Sequence, residues 1–195
     1  EVSVNAALKP VVDFRAREFL RRDPEPRSVP LIYPAHFQDG YVAWPRNGGR
    51  KPNALADRGD TRALMVPNAT YVLTKRFTSK EERRRVVAVV YDPTRLPPQI
   101  ENVGFENHVN YFHAAGAGLS KALAKGLAVF LNTSLADRYF RRFNGHTQVN
   151  ASDLRSFRYP SATQLRAIGQ QVGASFPDQE RIDRIVEGVL SSPKD

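Results

Sequence analysis

The 195-residue chain contains no cysteine, one methionine and one tryptophan. Without thiols it builds no disulfide scaffold, zinc ribbon, iron–sulfur cluster or thiolate nucleophile. Long apolar runs are also missing. The most apolar stretch, residues 119–135, is broken by Lys121, Lys125, Asn132, Thr133 and Ser134, so it does not span a bilayer. The first residues, Glu1-Val2-Ser3-Val4-Asn5, have neither an initiator Met nor a basic signal-type region. We therefore expect a cytoplasmic chain, without a membrane partner, that is a piece of something longer. On such a chain the glycosylation-type triplets at Asn68, Asn132 and Asn150 are chance matches.

Catalytic signatures are equally scarce. There is no phosphate-binding P-loop, and Gly116-Ala117-Gly118 lacks the third glycine of a dinucleotide fingerprint. No Gly-x-Ser-x-Gly elbow occurs. Of the four histidines (His36, His108, His113, His146), His108 and His113 are five apart, a spacing that chelates no metal on strand or helix. Asp57 and Asp60 flank Gly59, but no Glu-x-Lys completes a nuclease-type site. The chain by itself is expected to be non-catalytic and to hold no metal.

What is present is positive charge. Twenty-nine Lys and Arg against twenty Asp and Glu leave a net +9, an excess that attracts polyanions. Apolar residues make up 41%, and a chain of this length buries roughly 70% of its unfolded surface without staples.

The order of elements is β first and α second, which predicts an α+β fold. Residues 1–28 carry Pro10, Pro24, Pro26 and several arginines, and read as a short strand or turn followed by a fraying basic linker. The domain proper is expected over 29–195, β-rich over 29–113 and helical over 118–192. Strand-type runs occupy residues 29–33, 41–44, 63–66, 70–74 and 86–91. Asp39-Gly40 marks a turn, and a hairpin loop is expected between Phe77 and Val86. Leu119, Leu123, Leu127, Phe130 and Leu131 repeat with helical spacing. Ser134 with Asp137 forms a capping-box pattern for a second helix that stops at Asn144-Gly145. Ser161 with Gln164 caps a third helix, and Asp178 opens a fourth.

Two basic clusters lie in the β-rich half. Arg46-Asn47-Gly48-Gly49-Arg50-Lys51 combines glycines, which let backbone amides approach phosphate, with side chains that reach base edges. Lys75-Arg76-Phe77-Thr78-Ser79-Lys80, continuing to Arg83, Arg84 and Arg85, mixes cations with short polar side chains, the usual phosphate-contacting set. Residues 106–113 and 144–150 are polar without being strongly charged. Their Asn and His side chains fit either base contacts or the fixing of a loop.

Several segments resemble a known family. Residues 126–141, the block Phe143-Asn-Gly-His-Thr-Gln-Val-Asn150 and its continuation to Pro160 are similar to a C-terminal stretch of adenine-specific (N6) DNA methyltransferases. So are residues 33–45, 74–85 and 106–111; the resemblance covers residues 11–169. In these single-chain enzymes of bacterial restriction–modification systems a methylase domain precedes a target-recognition domain. The family's Asn/Asp-Pro-Pro-Tyr/Phe motif and its glycine motif for S-adenosylmethionine are both missing, and the one Pro-Pro pair, Pro97-Pro98, follows Leu96 and precedes Gln99. The resemblance thus implies a target-recognition-domain-like module for double-stranded DNA, with no cofactor of its own. Its partner would be an upstream methyltransferase domain of the same polypeptide, which binds S-adenosylmethionine. It implies phosphate contacts from Lys51, Lys75, Arg76, Lys80 and Arg83, and base reading by Arg46, Asn47, Arg50, Asn107 and Asn110. His146, Thr147 and Gln148 are further loop candidates. The alternatives are the recognition half of a Type I restriction specificity subunit and a stand-alone nucleic-acid hydrolase.

Overall fold

A computed structural model describes residues 2–4, 11–79, 81–143 and 147–192. Lys80, His146 and the expected helix stop at Asn144-Gly145 lie outside these residues. The strands are β1 (Val2–Val4), β2 (Leu20–Arg21), β3 (Ser28–Ile32), β4 (Phe37–Gln38), β5 (Tyr41–Val42), β6 (Ala54–Ala56), β7 (Met65–Pro67), β8 (Tyr71–Lys75), β9 (Ala88–Tyr91), β10 (Asn102–Phe105) and β11 (Val109–Ala114). The helices follow as α1 (Lys121–Leu131), α2 (Ser134–Phe143), α3 (Ala151–Ser156), α4 (Ala162–Gln170) and α5 (Gln179–Ser191). The α+β expectation is met.

The strands form a six-stranded sheet, β1-β11-β8-β9-β5-β4, and a five-stranded sheet, β2-β6-β3-β10-β7. Alternation of side chains explains how these become layers. In β8, Tyr71 and Leu73 face the second sheet and Val72 faces the helices; Val89 and Tyr91 of β9 alternate with Ala88 and Val90 in the same way. Between the sheets, Tyr71, Tyr91, Phe105 and Tyr111 pack edge-to-face or tilted, with ring centres 5.0–6.2 Å apart. Burial raises all three tyrosine hydroxyls, Tyr71 and Tyr111 to about 12. The Tyr71 hydroxyl donates to Pro67 O at 2.9 Å and that of Tyr91 to Asn68 Oδ1 at 2.6 Å.

On the outer face of the six-stranded sheet lies the helical layer. Asn132, at the end of α1, is bonded to both backbone groups of Ala88: its Nδ2 donates to the carbonyl at 2.7 Å and its Oδ1 accepts the amide at 3.2 Å. α1 and α4 cross in backbone contact. A Cβ added to Gly126 would stand 1.7 Å from Leu165 O, and one added to Gly169 would stand 1.8 Å from Ala122 O. These two glycines permit the crossing.

Several sequence expectations need correction. Residues 14–21 do not fray: Phe14–Phe19 is a 3-10 helix capped by Asp13, and Leu20–Arg21 is strand β2, paired with β6. This segment covers a third cluster formed by Val12, Ala16, Leu31 and Leu55. The run 63–66 is divided: Ala63 and Leu64 end a 3-10 helix, Gly59–Leu64, and Met65 and Val66 begin β7. Ser134 does not cap α2. Thr133 Oγ1 accepts the Ala136 amide at 3.1 Å, while Ser134 Oγ donates to Asp183 at 2.6 Å. The caps at Ser161 and Asp178 are as expected, accepting from Gln164 N and Arg181 N. Helix α3 and strands β6, β10 and β11 were not foreseen. Asp39 and Gly40 both have positive φ (46° and 75°), the conformation of the tight hairpin turn anticipated there.

Candidate nucleic-acid interface

The loop 46–51 leaves β5 and returns to β6, and its first residue is tied to one buried asparagine. Asn53 Oδ1 accepts the Arg46 amide at 2.9 Å, while Nδ2 donates to Arg46 O at 3.2 Å and Arg22 O at 3.0 Å. The second partner of Oδ1 is His36 Nε2, at 2.9 Å. His36 Nδ1 accepts the Tyr33 amide at 3.0 Å, so the proton of the neutral ring sits on Nε2. Burial holds the His36 pKa below its usual value, which keeps that neutral tautomer in place. The Trp44 indole donates to Asn53 O at 2.6 Å, and the Arg46 guanidinium donates to Ala35 O. From this fixed start, Arg46, Asn47, Arg50 and Lys51 are exposed. Ala35, His36, Arg46, Gly49, Arg50 and Lys51 line a cavity of about 310 Å3. Its three cations suit an anion.

The second cluster extends from the end of β8. Its residues 76–78 pair with 147–149: Val149 N donates to Arg76 O at 2.7 Å and Thr78 N to Thr147 O at 3.0 Å. Arg76 N donates to His108 O at 2.8 Å, and its guanidinium reaches Asn107 O at 3.4 Å. Arg76, Asn107, Thr147 and Gln148 are thereby gathered on one surface, the last two from a segment some seventy residues further along the chain. Lys75 borders them, paired with Glu82 at 3.4 Å.

Of the arginine run, only Arg83 is exposed. Arg84 is half-buried, and burial, with Arg83 beside it, lowers its pKa against the opposing pull of Asp183 and Asp137. Arg85 is buried, donating from its side chain to Thr78 O at 2.6 Å and from its backbone to Asp137 at 2.6 Å. It braces the loop against the helices.

Tyr33 links the two clusters. Lys51 Nζ lies 5.4 Å from the Tyr33 ring centre, and burial with the nearby Glu106 charge pushes the Tyr33 hydroxyl up to about 12. Glu106 in turn holds His108: its carboxylate is 2.6 and 2.8 Å from Nδ1 and accepts the His108 amide at 2.9 Å. His108 packs on Phe77 at 5.0 Å. Because β3 and β10 run parallel, Tyr33 and Glu106 leave their strands at the same end.

Asn110 does not join this surface. It is 3% exposed, on the helix-facing side of β11, and its amide donates to Val149 O at 2.8 Å. The candidates brought together are Arg76, Asn107, Thr147 and Gln148, next to Lys75 and, through Tyr33, to Arg46, Asn47, Arg50 and Lys51. Phe77 and Glu106 were not singled out in the sequence, His108 was considered only among the polar side chains of residues 106–113, and the His36–Asn53 anchor was not foreseen. An aromatic residue set inside a basic run was the available signal for Phe77.

Gly116–Gly118 and Pro97-Pro98, where the sequence comes nearest to the two absent motifs, have other surroundings. Gly118 is packed against residues 69–70, just before β8, where an added Cβ would lie 2.5 Å from Ala69 Cβ and 3.0 Å from Thr70 O. Pro97 and Pro98 form an exposed turn. Among the described residues no helix is long and apolar enough to cross a membrane.

No family model and no solved structure matches the chain. It is similar to two curated proteins along nearly its whole length. One is the Type II methyltransferase M.PstI of Providencia stuartii, 50% identical over 190 residues, which are 97% of this chain and 37% of that protein. The other is the Type II methyltransferase M.BsuBI of Bacillus subtilis, 42% identical over 192 residues, 97% of this chain and 38% of that protein. The chain therefore spans little more than a third of the length of these relatives.

Proposed function

We propose, from this kinship to Type II methyltransferases, that the chain is the sequence-specific duplex-DNA recognition module of an adenine-N6 DNA methyltransferase in a restriction–modification system. A methyltransferase domain of the same polypeptide supplies S-adenosylmethionine binding and methyl transfer. This module clamps the duplex and positions the target adenine, which such enzymes extrude before reaction. The observation that carries the reading is the exposed and half-exposed cationic and amide surface built from residues 46–51, 75–76, 107 and 147–148, on a chain of net charge +9.

Lys51, Lys75, Arg76 and Arg83 take phosphates; Lys80 belongs with them by sequence. Arg46, Asn47, Arg50 and Asn107 present forks suited to base edges, with Thr147 and Gln148 beside them and His146 next in sequence. A bidentate Arg–guanine or Asn–adenine pair discriminates by about 1–3 kcal/mol. Asn110, buried and committed to Val149, is left out of the reading set.

The test is binding of the chain to duplex DNA over a salt series. Joint Lys75→Glu and Arg76→Glu substitution is expected to weaken binding to all sequences alike and to flatten the salt slope by about one unit for each phosphate no longer neutralised. Asn47→Ala and Arg50→Ala are expected to relax discrimination between target and non-target duplexes. Salt-independent or undetectable duplex binding refutes the proposal.

A further inference from the structure

Phe77 is 40% exposed, an apolar ring standing in the middle of the cationic surface. Its backbone is fixed on both sides by the hydrogen bonds of residues 76 and 78 to 147–149. The ring packs on His108 at 5.0 Å with planes inclined by 48°, and Arg76 lies 5.7 Å from its centre. The imidazole is itself immobilised: Glu106, only 7% exposed, takes its Nδ1 and its backbone amide. The two rings are therefore preorganised, so little ordering is left to cost affinity when a ligand arrives.

The chemistry of this spot separates it from its surroundings. Phe77 has no hydrogen-bonding group, so it reads no base edge and holds no phosphate. The Glu106 carboxylate beside His108 disfavours a phosphate there, while a neutral planar ring meets no such penalty. Lys75 and Arg76 alongside receive the backbone on either side of such a ring. Aromatic faces flanked by cations are how proteins hold unstacked bases.

We propose that Phe77, backed by His108, is a stacking platform for one unpaired nucleobase of the bound DNA, exposed as the duplex opens. This rests on the DNA-binding reading above and adds to it a site for an opened base, distinct from the paired DNA gripped by the loop 46–51.

The test measures affinity of the full chain, by fluorescence anisotropy, for two probes: a fully paired duplex, and the same duplex with one extrahelical adenine. Wild type is expected to bind the second more tightly. Phe77→Ala is expected to weaken binding to that probe about tenfold, with less than a twofold loss on the paired duplex and an unchanged salt slope. Phe77→Trp should retain the preference. Phe77→Leu, which keeps an apolar side chain without a π face, should lose it, and thermal melts confirm that each variant folds. Equal losses on both probes, or a Leu variant indistinguishable from wild type, overturn the platform. If wild type binds the paired duplex with a normal salt slope and the Phe77 variants change nothing, the platform alone fails. If wild type binds neither probe, the DNA-binding reading fails with it.

Discussion

Gly126→Ala is the substitution whose cost the structure determines best. The added methyl carbon would stand 1.7 Å from the Leu165 carbonyl oxygen, and about 3.0 Å is the shortest separation such atoms tolerate. The obstacle is backbone, so no side chain rotates out of the way. α1 and α4 must part by about 1.3 Å. A radial gap of roughly 0.5–1 Å already forfeits a quarter to a half of each dispersion contact across an interface. Leu123, Leu127, Leu165 and Ile168, all buried in this layer, share that loss. Overpacking usually costs about 1–3 kcal/mol, and a rigid backbone clash belongs at or above the top of that range. Alanine recovers about 1 kcal/mol through its better helix propensity. A net loss of about 2–3 kcal/mol is expected, which lowers the melting temperature by roughly 4–12 °C in a domain of this size. Thermal and urea unfolding followed by far-ultraviolet circular dichroism measures it. Gly169→Ala should behave alike, and the double variant should cost less than the two singles combined, since the second methyl enters a gap already opened. A Gly126→Ala protein as stable as wild type, or more so, refutes the close crossing.

Two further outcomes follow from the polar anchors. Above pH about 6.5, His36 is neutral in both folded and unfolded chains; as pH falls below that, the unfolded chain takes up a proton that burial denies the folded one, so stability declines until the lowered folded pKa is reached. Urea midpoints between pH 7 and pH 5 should show this slope, and His36→Asn should remove its share; a flat profile in wild type refutes the buried neutral ring. Asn132→Ala leaves both backbone groups of Ala88 without their side-chain partner. It should cost about 2–4 kcal/mol, read by chemical denaturation, with faster hydrogen exchange at Ala88; a loss below about 1 kcal/mol shows that water replaces the amide.

Local signals were legible in the sequence, and non-local ones were not. The caps at Ser161 and Asp178, the Asp39-Gly40 turn and the apolar stripe of α1 each depend on residues within four positions of one another. Strand β11 was hidden because Asn110 and His113 look like loop chemistry. They become strand residues only once β8 supplies the pairing, and Asn110 has its partner 39 residues away at Val149. Helix α3 is six residues long, too short to show a period. In the candidate interface the cations could be named from composition, yet their grouping could not. The partners of Phe77 come from β10–β11 and from residues 147–149. The polar residues that proved structural, His36, Asn53 and Asn110, carry no local mark separating them from surface readers.

The anchor beneath the loop 46–51 gives this segment an independence of its own. Its posts, Asn53, His36 and Trp44, all lie outside the six residues it displays; of those six, Arg46 is itself bonded to Ala35 O and Gly48 has a φ of 72°, while Asn47, Arg50 and Lys51 are exposed. Asn47, Arg50 and Lys51 can be exchanged with small effect on folding, as surface substitutions usually are. On the DNA-recognition reading proposed above, the loop is thus a replaceable cartridge: the side chains it offers to a ligand can change while the frame that presents them stays the same.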